Sequence, residues 1–395
     1  MSDRIVICGA VRTPIGRFQG GLATVKASRL GAEAIKGLIE RTGLDPAAVD
    51  EVIMGCVVQA GLGQNPARQA AIWGGIPTSV SAMTVNKVCG SGLRAVMSAA
   101  QAIRAGDIRC AIAGGMENMS QIPFALFGAR DGLRLGHQQL TDLLVHDGLW
   151  DVYHDYHMGM TAELVVDKYA VARERQDAYA AESHRRAAAA MAAGKFTAEI
   201  VPVPVPQRKG DPVLVGADEG PRADTTAASL ARLKPAFKRE GGTVTAGNAS
   251  TINDGAAAVL VCSESFARER GLPAMAVIEA YGTGAVDPEW VMMAPVGAVQ
   301  GVARKAGRPV ADYELVELNE AFAAQAVAVT EQLGLDPARV NVHGGAVALG
   351  HPIGASGARC LVTLLHAMLD RGAQSGMVAL CLGGGDAVAM SVARP

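Results

Sequence analysis

The chain repeats itself, and this limits its fold more than any other feature. Glu51-Val52-Ile53-Met54 lines up with Glu314-Leu315-Val316-Glu317 and Ser91-Gly92-Leu93-Arg94 with Ser356-Gly357-Ala358-Arg359. Ala113-Gly114-Gly115 lines up with Leu382-Gly383-Gly384, and residues 274–280 read as a strand like 4–10. The matches keep their order at an offset near 265, the pattern of two copies of one supersecondary unit. Within the first copy, apolar runs near 5–8, 52–54, 80–85 and 111–113 alternate with helical spacing near 28–42, 64–73 and 91–105. Strands alternating with helices predict an α/β fold with a mostly parallel, helix-covered sheet, its two copies packed back to back.

The copies are not contiguous. Residues 1–119 and 244–269 belong to the first half and 270–395 to the second, with 120–243 inserted between. The inserted stretch holds several His, the Pro-alternating run Val201-Pro202-Val203-Pro204-Val205-Pro206 and one long helical pattern over 161–193, broken near Ala172. It is a candidate substrate-binding region. With 395 residues, half of them apolar, the chain has ample material for a large core. A net charge of −2 without basic blocks argues against nucleic acid as the main partner. No apolar run is long enough for a membrane span, and no signal-peptide shape precedes Ile5. The end Ala393-Arg394-Pro395 is no peroxisomal address. Seven scattered cysteines, with no Cys-x-x-Cys, predict free thiols in a reducing cytoplasm. Gly9-Ala10-Val11-Arg12-Thr13 lacks the glycine spacing of a dinucleotide site.

Four stretches carry unusual chemistry. Asn86-Lys87-Val88-Cys89-Gly90-Ser91-Gly92 sits between a strand and a helix whose apolar face is Leu93, Val96, Met97, Ala100 and Ile103. Free N–H groups and the helix dipole there lower a thiol pKa and favour a nucleophilic thiolate. Asn319-Glu320-Ala321-Phe322 follows a strand, Gly350-His351-Pro352 opens the second repeat helix, and Cys381-Leu382-Gly383-Gly384-Gly385 ends a strand. The repeat sets the His351 loop opposite the Cys89 loop, with Asn319 and Cys381 at strand ends nearby, where α/β folds place ligands. Taken singly, each residue has a structural reading: Cys89 and Cys381 as packed thiols, His351 as a core histidine, Asn319 as a helix N-cap.

Jointly, the Asn-x-x-Cys-Gly-Ser-Gly, Asn-Glu-Ala-Phe, Gly-His-Pro-x-Gly-x-Ser-Gly and Cys-x-Gly-Gly-Gly motifs resemble those of the thiolases over essentially the whole chain. The biosynthetic type is the nearer resemblance, through His157-Met158-Gly159 and Gly247-Asn248-Ala249-Ser250; the 3-ketoacyl-CoA thiolases of fatty-acid degradation are the alternative. The resemblance implies a five-layered αβαβα fold with an inserted loop domain that binds coenzyme A, as a homodimer or homotetramer. It implies Claisen condensation of two acetyl-CoA to acetoacetyl-CoA and CoA, or the reverse thiolysis. Cys89 would carry the acyl group, His351 take its proton and Cys381 act as base at the second α-carbon. One oxyanion hole falls to His351 plus a water held by Asn319, the other to the N–H groups of Cys89 and Gly383. Coenzyme A would meet Leu149, His157, Met158, Arg222, Ser229, Phe237, Ala246, Ser250 and Phe322. The CoA thioesters are substrates; no cofactor and no metal are expected. His154, His157, Asp151 and Asp155 form a metal-like cluster, but His157 is already accounted for as tunnel wall.

Two places depart from the family pattern. Val291-Met292-Met293-Ala294-Pro295 stands for Met-Gly-x-Gly-Pro beside the acyl site, and Asp386-Ala387 for a glycine-containing pair after the triple glycine. The bulky Met292 and Met293 predict a preference for short acyl chains. A ketosynthase-type condensing enzyme would lack Cys381, and a CoA-binding scaffold without turnover would have no need of all four residues.

Overall fold

The computed structural model describes residues 3–395. Nine strands form one continuous sheet: β1 (Ile5–Arg12), β2 (Glu51–Gly55), β3 (Ser81–Val85), β4 (Cys110–Asn118), β5 (Asn253–Ser263), β6 (Ala276–Ala285), β7 (Leu315–Leu318), β8 (Ser375–Leu382) and β9 (Asp386–Ala393). Their order is β7-β8-β9-β6-β1-β5-β4-β2-β3, with the short strand Gly16–Arg17 added on β5. Read outward from the centre, the first half runs β1-β5-β4-β2-β3 and the second β6-β9-β8-β7. A parallel bridge from Val316 to Val340 stands where β3 stands in the first. The two half-sheets join through β1 and β6, where Val6 pairs with Val277 and Ile7 with Ala276.

The sheet is mixed, not mostly parallel. Only β2–β3, β2–β4 and β7–β8 are parallel. β1, β5, β6 and β9 pair antiparallel with their neighbours. Strand–helix alternation dictates the parallel pairs, but β9 follows β8 through a glycine turn with no helix between, and such a connection reverses the chain.

The repeat is real, and two of the sequence matches slip by one residue. Ile53 faces the layer between the halves, as does Glu317, which bonds Arg359 there at 2.8 Å; Val316 faces the outer core. A one-residue slip exchanges sheet faces, so Glu51 corresponds to Leu315. Bulges at Ile7/Gly9 and Ile278/Ala280 likewise match residue 4 with 275. Ala113 pairs beside Ile53 and Val378 beside Glu317, so Ala113 corresponds to Val378 and not to Leu382.

Five layers result. Helices α3 (Ser91–Ala105) and α8 (Ser356–Arg371) lie between the half-sheets, with Leu93, Val96, Leu361 and Leu365 packed on Ala113, Val259, Val378 and Val388. α1 (Ala27–Thr42) and α2 (Pro66–Trp73) cover the first half outside; α6 (Ala294–Ala306) and α7 (Ala323–Gln332) cover the second. The first turns of α3 and α8 touch through glycine: a Cβ on Gly92 would lie 2.8 Å from the Ala358 nitrogen, and one on Gly357 2.4 Å from that of Leu93. Both contacts are backbone-close, and this brings the two loops preceding these helices together.

Between β4 and β5 the chain leaves the sheet. It forms α4 (Met158–Tyr169) and α5 (Arg173–Ala192), and the Pro-alternating run supplies one strand of a small hairpin, Val203–Val205 on Val213–Val215. The break between α4 and α5 falls at Ala170, in a left-handed conformation with φ 51°.

Candidate active site

Cys89 sits in a turn built by its neighbours. Asn86 Oδ1 accepts from the Val88 N–H at 3.0 Å, and Ser91 Oγ accepts from the Lys87 N–H at 2.8 Å while donating to the Val88 carbonyl at 2.6 Å. These bonds hold Val88 at φ 44°, a conformation that costs a β-branched residue about 1–3 kcal/mol. The strain presents Cys89 at the start of α3, where it is the one cysteine of the seven that keeps partial solvent exposure.

Its own N–H and that of Gly383 favour the thiolate, but burial in an apolar site outweighs them. The thiol is pushed up to about 12, with the nearby Glu117 carboxylate adding to the rise. The expected lowering of the Cys89 pKa by the helix N-terminus is therefore corrected: the N–H contribution is present, and desolvation exceeds it.

His351 follows the helical turn Ala346–Leu349. Gly350, at φ 106°, lies against the Asn253 amide, whose carbon a Cβ would approach to 2.3 Å; Asn253 Oδ1 in turn accepts from the His351 N–H at 3.0 Å. The ring Nδ1 is 2.6 Å from Ser356 Oγ, and that hydroxyl donates to the Pro352 carbonyl at 2.9 Å. With its one proton so used, Ser356 accepts from Nδ1–H, which leaves Nε2 as the free basic nitrogen. Burial, then the Arg359 charge, lowers the His351 pKa to about 3, so the imidazole is neutral at ordinary pH.

Cys381 ends β8, its sulfur 4.0 Å from that of Met292. Burial, and then the negative charge of an ionised Cys89, raise its pKa far above the usual thiol value. Asn319 is fully buried behind the site. Its N–H reaches the Ala379 carbonyl, its Oδ1 accepts from Cys360 Sγ at 3.8 Å, and its Nδ2 has no protein partner.

One cavity of about 620 Å³ collects Cys89, His351, Cys381 and Gly383 with Leu149, His157, Met158, Arg222, Phe237, Ala246, Ser250 and Phe322. His157 stacks on Phe237 at 4.8 Å, and Phe237 meets Phe322 edge-on at 6.1 Å, an aromatic wall leading to Cys89. Gly159 is required there, since a Cβ would stand 2.3 Å from the Phe237 ring. Two expected residues lie off this wall: Asn319 behind it, and Ser229, which is exposed and closes a capping box with Thr226. Of the two altered-loop methionines, Met292 lines the cavity and Met293 does not.

Several residues escaped the sequence. His184, mid-helix in α5, takes the Arg222 N–H on Nδ1 at 3.2 Å; burial and the Arg222 charge lower it to about 4, so it serves as a neutral acceptor. Glu117, buried at the end of β4, accepts from the N–H groups of Val57, Val58 and Gly354 at 2.9, 3.3 and 2.9 Å, and burial pushes it up to about 7. Arg17 and Phe18 line the cavity at its rim. The first two carry no spacing signal; the last pair follow β1 closely enough to have been sought at a strand end. Asp151 and Asp155 are engaged by Tyr153, His154 and Trp150, and among the described residues no three His, Cys, Asp or Glu side chains form a metal-holding group.

A partly exposed thiol, a neutral imidazole, a second thiol and the Gly383 turn line one largely apolar cavity, an arrangement suited to acyl transfer. The family model described as the thiolase N-terminal domain matches residues 5–265, and the thiolase C-terminal domain matches 272–394. The chain belongs to the thiolase family. It is 56% identical over 390 residues to an acetyl-CoA acetyltransferase of Pseudomonas aeruginosa, covering 99% of each chain. It is 55% identical to one of Cupriavidus necator, covering 100% of both. The crystal structure of the Bacillus anthracis acetyl-CoA acetyltransferase superposes with a TM-score of 0.97 at 42% identity, over 100% of this chain and 99% of that one.

Proposed function

We propose that this protein is an acetyl-CoA C-acetyltransferase, joining two acetyl-CoA into acetoacetyl-CoA and CoA or cleaving acetoacetyl-CoA with CoA. The observation that carries this is that Cys89, His351, Cys381 and Gly383 line one cavity together. His351 Nε2 takes the Cys89 proton as sulfur attacks the thioester carbon. The departing CoA thiolate takes that proton back, leaving acetyl-Cys89. The Cys89 and Gly383 N–H groups, which favour charge on this sulfur, would donate to the carbonyl oxygen of the acyl group it carries.

Acetylation removes the negative charge that Cys89 can carry, and with it one cause of the raised Cys381 pKa. His351 Nε2 first takes the Cys381 proton, and the Cys381 thiolate takes an α-proton from the second acetyl-CoA. The carbanion forms a C–C bond to the acetyl carbon, the C–S bond to Cys89 breaks, and the Cys89 thiolate recovers the proton held by His351, so all three groups return to their starting state. Nε2–H of the protonated His351, with a water on the free Nδ2 of Asn319, donates to the oxyanion of the second thioester. This chemistry calls for no redox group and no metal; coenzyme A thioesters are the substrates, and the tunnel wall from His157 to Phe322 receives the pantetheine arm. Ser229 would act at the nucleotide end, outside the tunnel.

Incubation with labelled acetyl-CoA, followed by peptide mapping, tests the reading: label on the Cys89 peptide and cleavage of acetoacetyl-CoA are expected. Label elsewhere, or turnover of malonyl thioesters alone, refutes it. The seven unpaired cysteines support a cytoplasmic enzyme. The half-open edge at β3 and the exposed Phe124, Phe127, Leu135 and Leu140 support a homodimer or homotetramer, which sedimentation resolves. A role in fatty acid metabolism follows from the substrate class.

A further inference from the structure

The Cys89 turn and the glycine turn after Cys381 come from different repeats, yet the N–H groups of Cys89 and Gly383 both favour charge on the Cys89 sulfur. The two turns also touch directly. Val88 Cγ1 lies 3.4 Å from the Cβ position of Gly383, and Leu382 Cδ2 fills the space beside Gly90. Alongside, Lys87 Nζ and Asp386 Oδ2 form an ion pair, with side chains 25% and 28% exposed. Among the described residues no other ion pair joins these two turns. Both ends are anchored: the Lys87 N–H donates to Ser91 Oγ at 2.8 Å, and Asp386 Oδ1 accepts from the Ala387 N–H at 2.7 Å. Neither residue lines the cavity.

We propose that the Lys87–Asp386 pair is a positioning clamp that sets the spacing of the Cys89 and Gly383 N–H groups around the reacting carbonyl. This rests on the acyl-transfer role proposed for Cys89. A single, partly buried ion pair at the edge of the site contributes modestly to stability. Donors aimed at a developing oxyanion, by contrast, lose effect steeply when displaced, and an ångström of misplacement can cost about 100-fold.

The test uses Lys87→Met, Asp386→Asn, their double variant and Lys87→Arg. Each neutral single variant is expected to lower kcat for acetoacetyl-CoA cleavage about tenfold, with KM within about twofold. The double variant should be no slower than the worse single one, because a clamp is lost only once. Lys87→Arg keeps the charge and should retain most of kcat.

A second readout needs no substrate. The pH profile of Cys89 alkylation by iodoacetamide reports thiolate stabilisation in a site where His351, Cys381 and Glu117 are the other titrating groups. It should move to higher pH by about half a unit or more in the neutral variants and return in Lys87→Arg. Wild-type kcat with an unmoved alkylation profile in Asp386→Asn overturns the clamp, as do single losses that multiply in the double variant. If the wild type fails to cleave acetoacetyl-CoA, the proposed function is refuted while the alkylation profiles still decide the clamp.

Discussion

Cys89 is subject to opposed influences: two N–H groups favour its thiolate, and a dry site disfavours it more. Its reactivity therefore comes from access and from the neutral His351, not from a resting population of thiolate. Under limiting iodoacetamide at neutral pH, peptide mapping should find Cys89 labelled first, since the other six thiols are buried. The labelling rate should keep rising with pH to at least about 9, because the thiol titrates high. Even labelling across the cysteines with activity retained would contradict this. In the proposed mechanism Cys381 differs in having no role in the first half-reaction. Cys381→Ala should leave acetyl-CoA/CoA exchange largely in place while thiolysis of acetoacetyl-CoA falls by about 100- to 10,000-fold. Equal losses in both rates would deny Cys381 a separate part.

Between elements, backbone-close glycine and one methionine decide the shape of the site. Met292 closes the acyl end against Cys381 from a loop that leads into α6. Met292→Ala should raise the ratio of 3-ketohexanoyl-CoA to acetoacetyl-CoA cleavage by about tenfold, the worth of a methylene or two in an apolar pocket. An unchanged ratio would place the chain-length limit elsewhere. At the α3–α8 crossing, Gly357→Val drives a side chain into Leu93 and should cost about 3 kcal/mol in urea unfolding. Gly297→Ala, on the exposed side of α6 with open space around it, should instead add about 0.5–1 kcal/mol. The elements themselves were legible: α3 was expected over the residues it occupies, and the break after α4 lies within two residues of Ala172. Strand direction was not, because helical and apolar periodicity do not register which way a neighbour runs.

Across the whole molecule, buried titratable groups of both signs shape stability. His351 and His184 have depressed pKa values, about 3 and about 4, so their contribution is full above 6.5 and is lost as pH falls through the folded values. Glu117 and Glu317, raised to about 7 and about 8, do the reverse: their contribution is full below 4.5 and is lost as pH rises through the folded values. The two trends oppose each other between about 4.5 and 6.5. The melting temperature should therefore be flat there and fall on either side, each group changing stability by about 1.4 kcal/mol per pH unit within its own window. A melting temperature that climbs steadily to pH 9 would contradict this.

The sequence by itself determined that two α/β copies pack together, that Cys89, His351, Cys381 and Asn319 stand at loop and strand ends of that repeat, and that the family is the thiolases. Motif and periodicity are local, and each of those conclusions rests on residues close in the chain or related by the repeat. Only the tertiary structure decided the mixed sheet, the true register of the repeat and the raised Cys89 pKa. It alone recruited His184 and Glu117 and formed the Lys87–Asp386 contact. These depend on burial and on groups up to 299 residues apart, and desolvation and long-range charge leave no trace in local spacing.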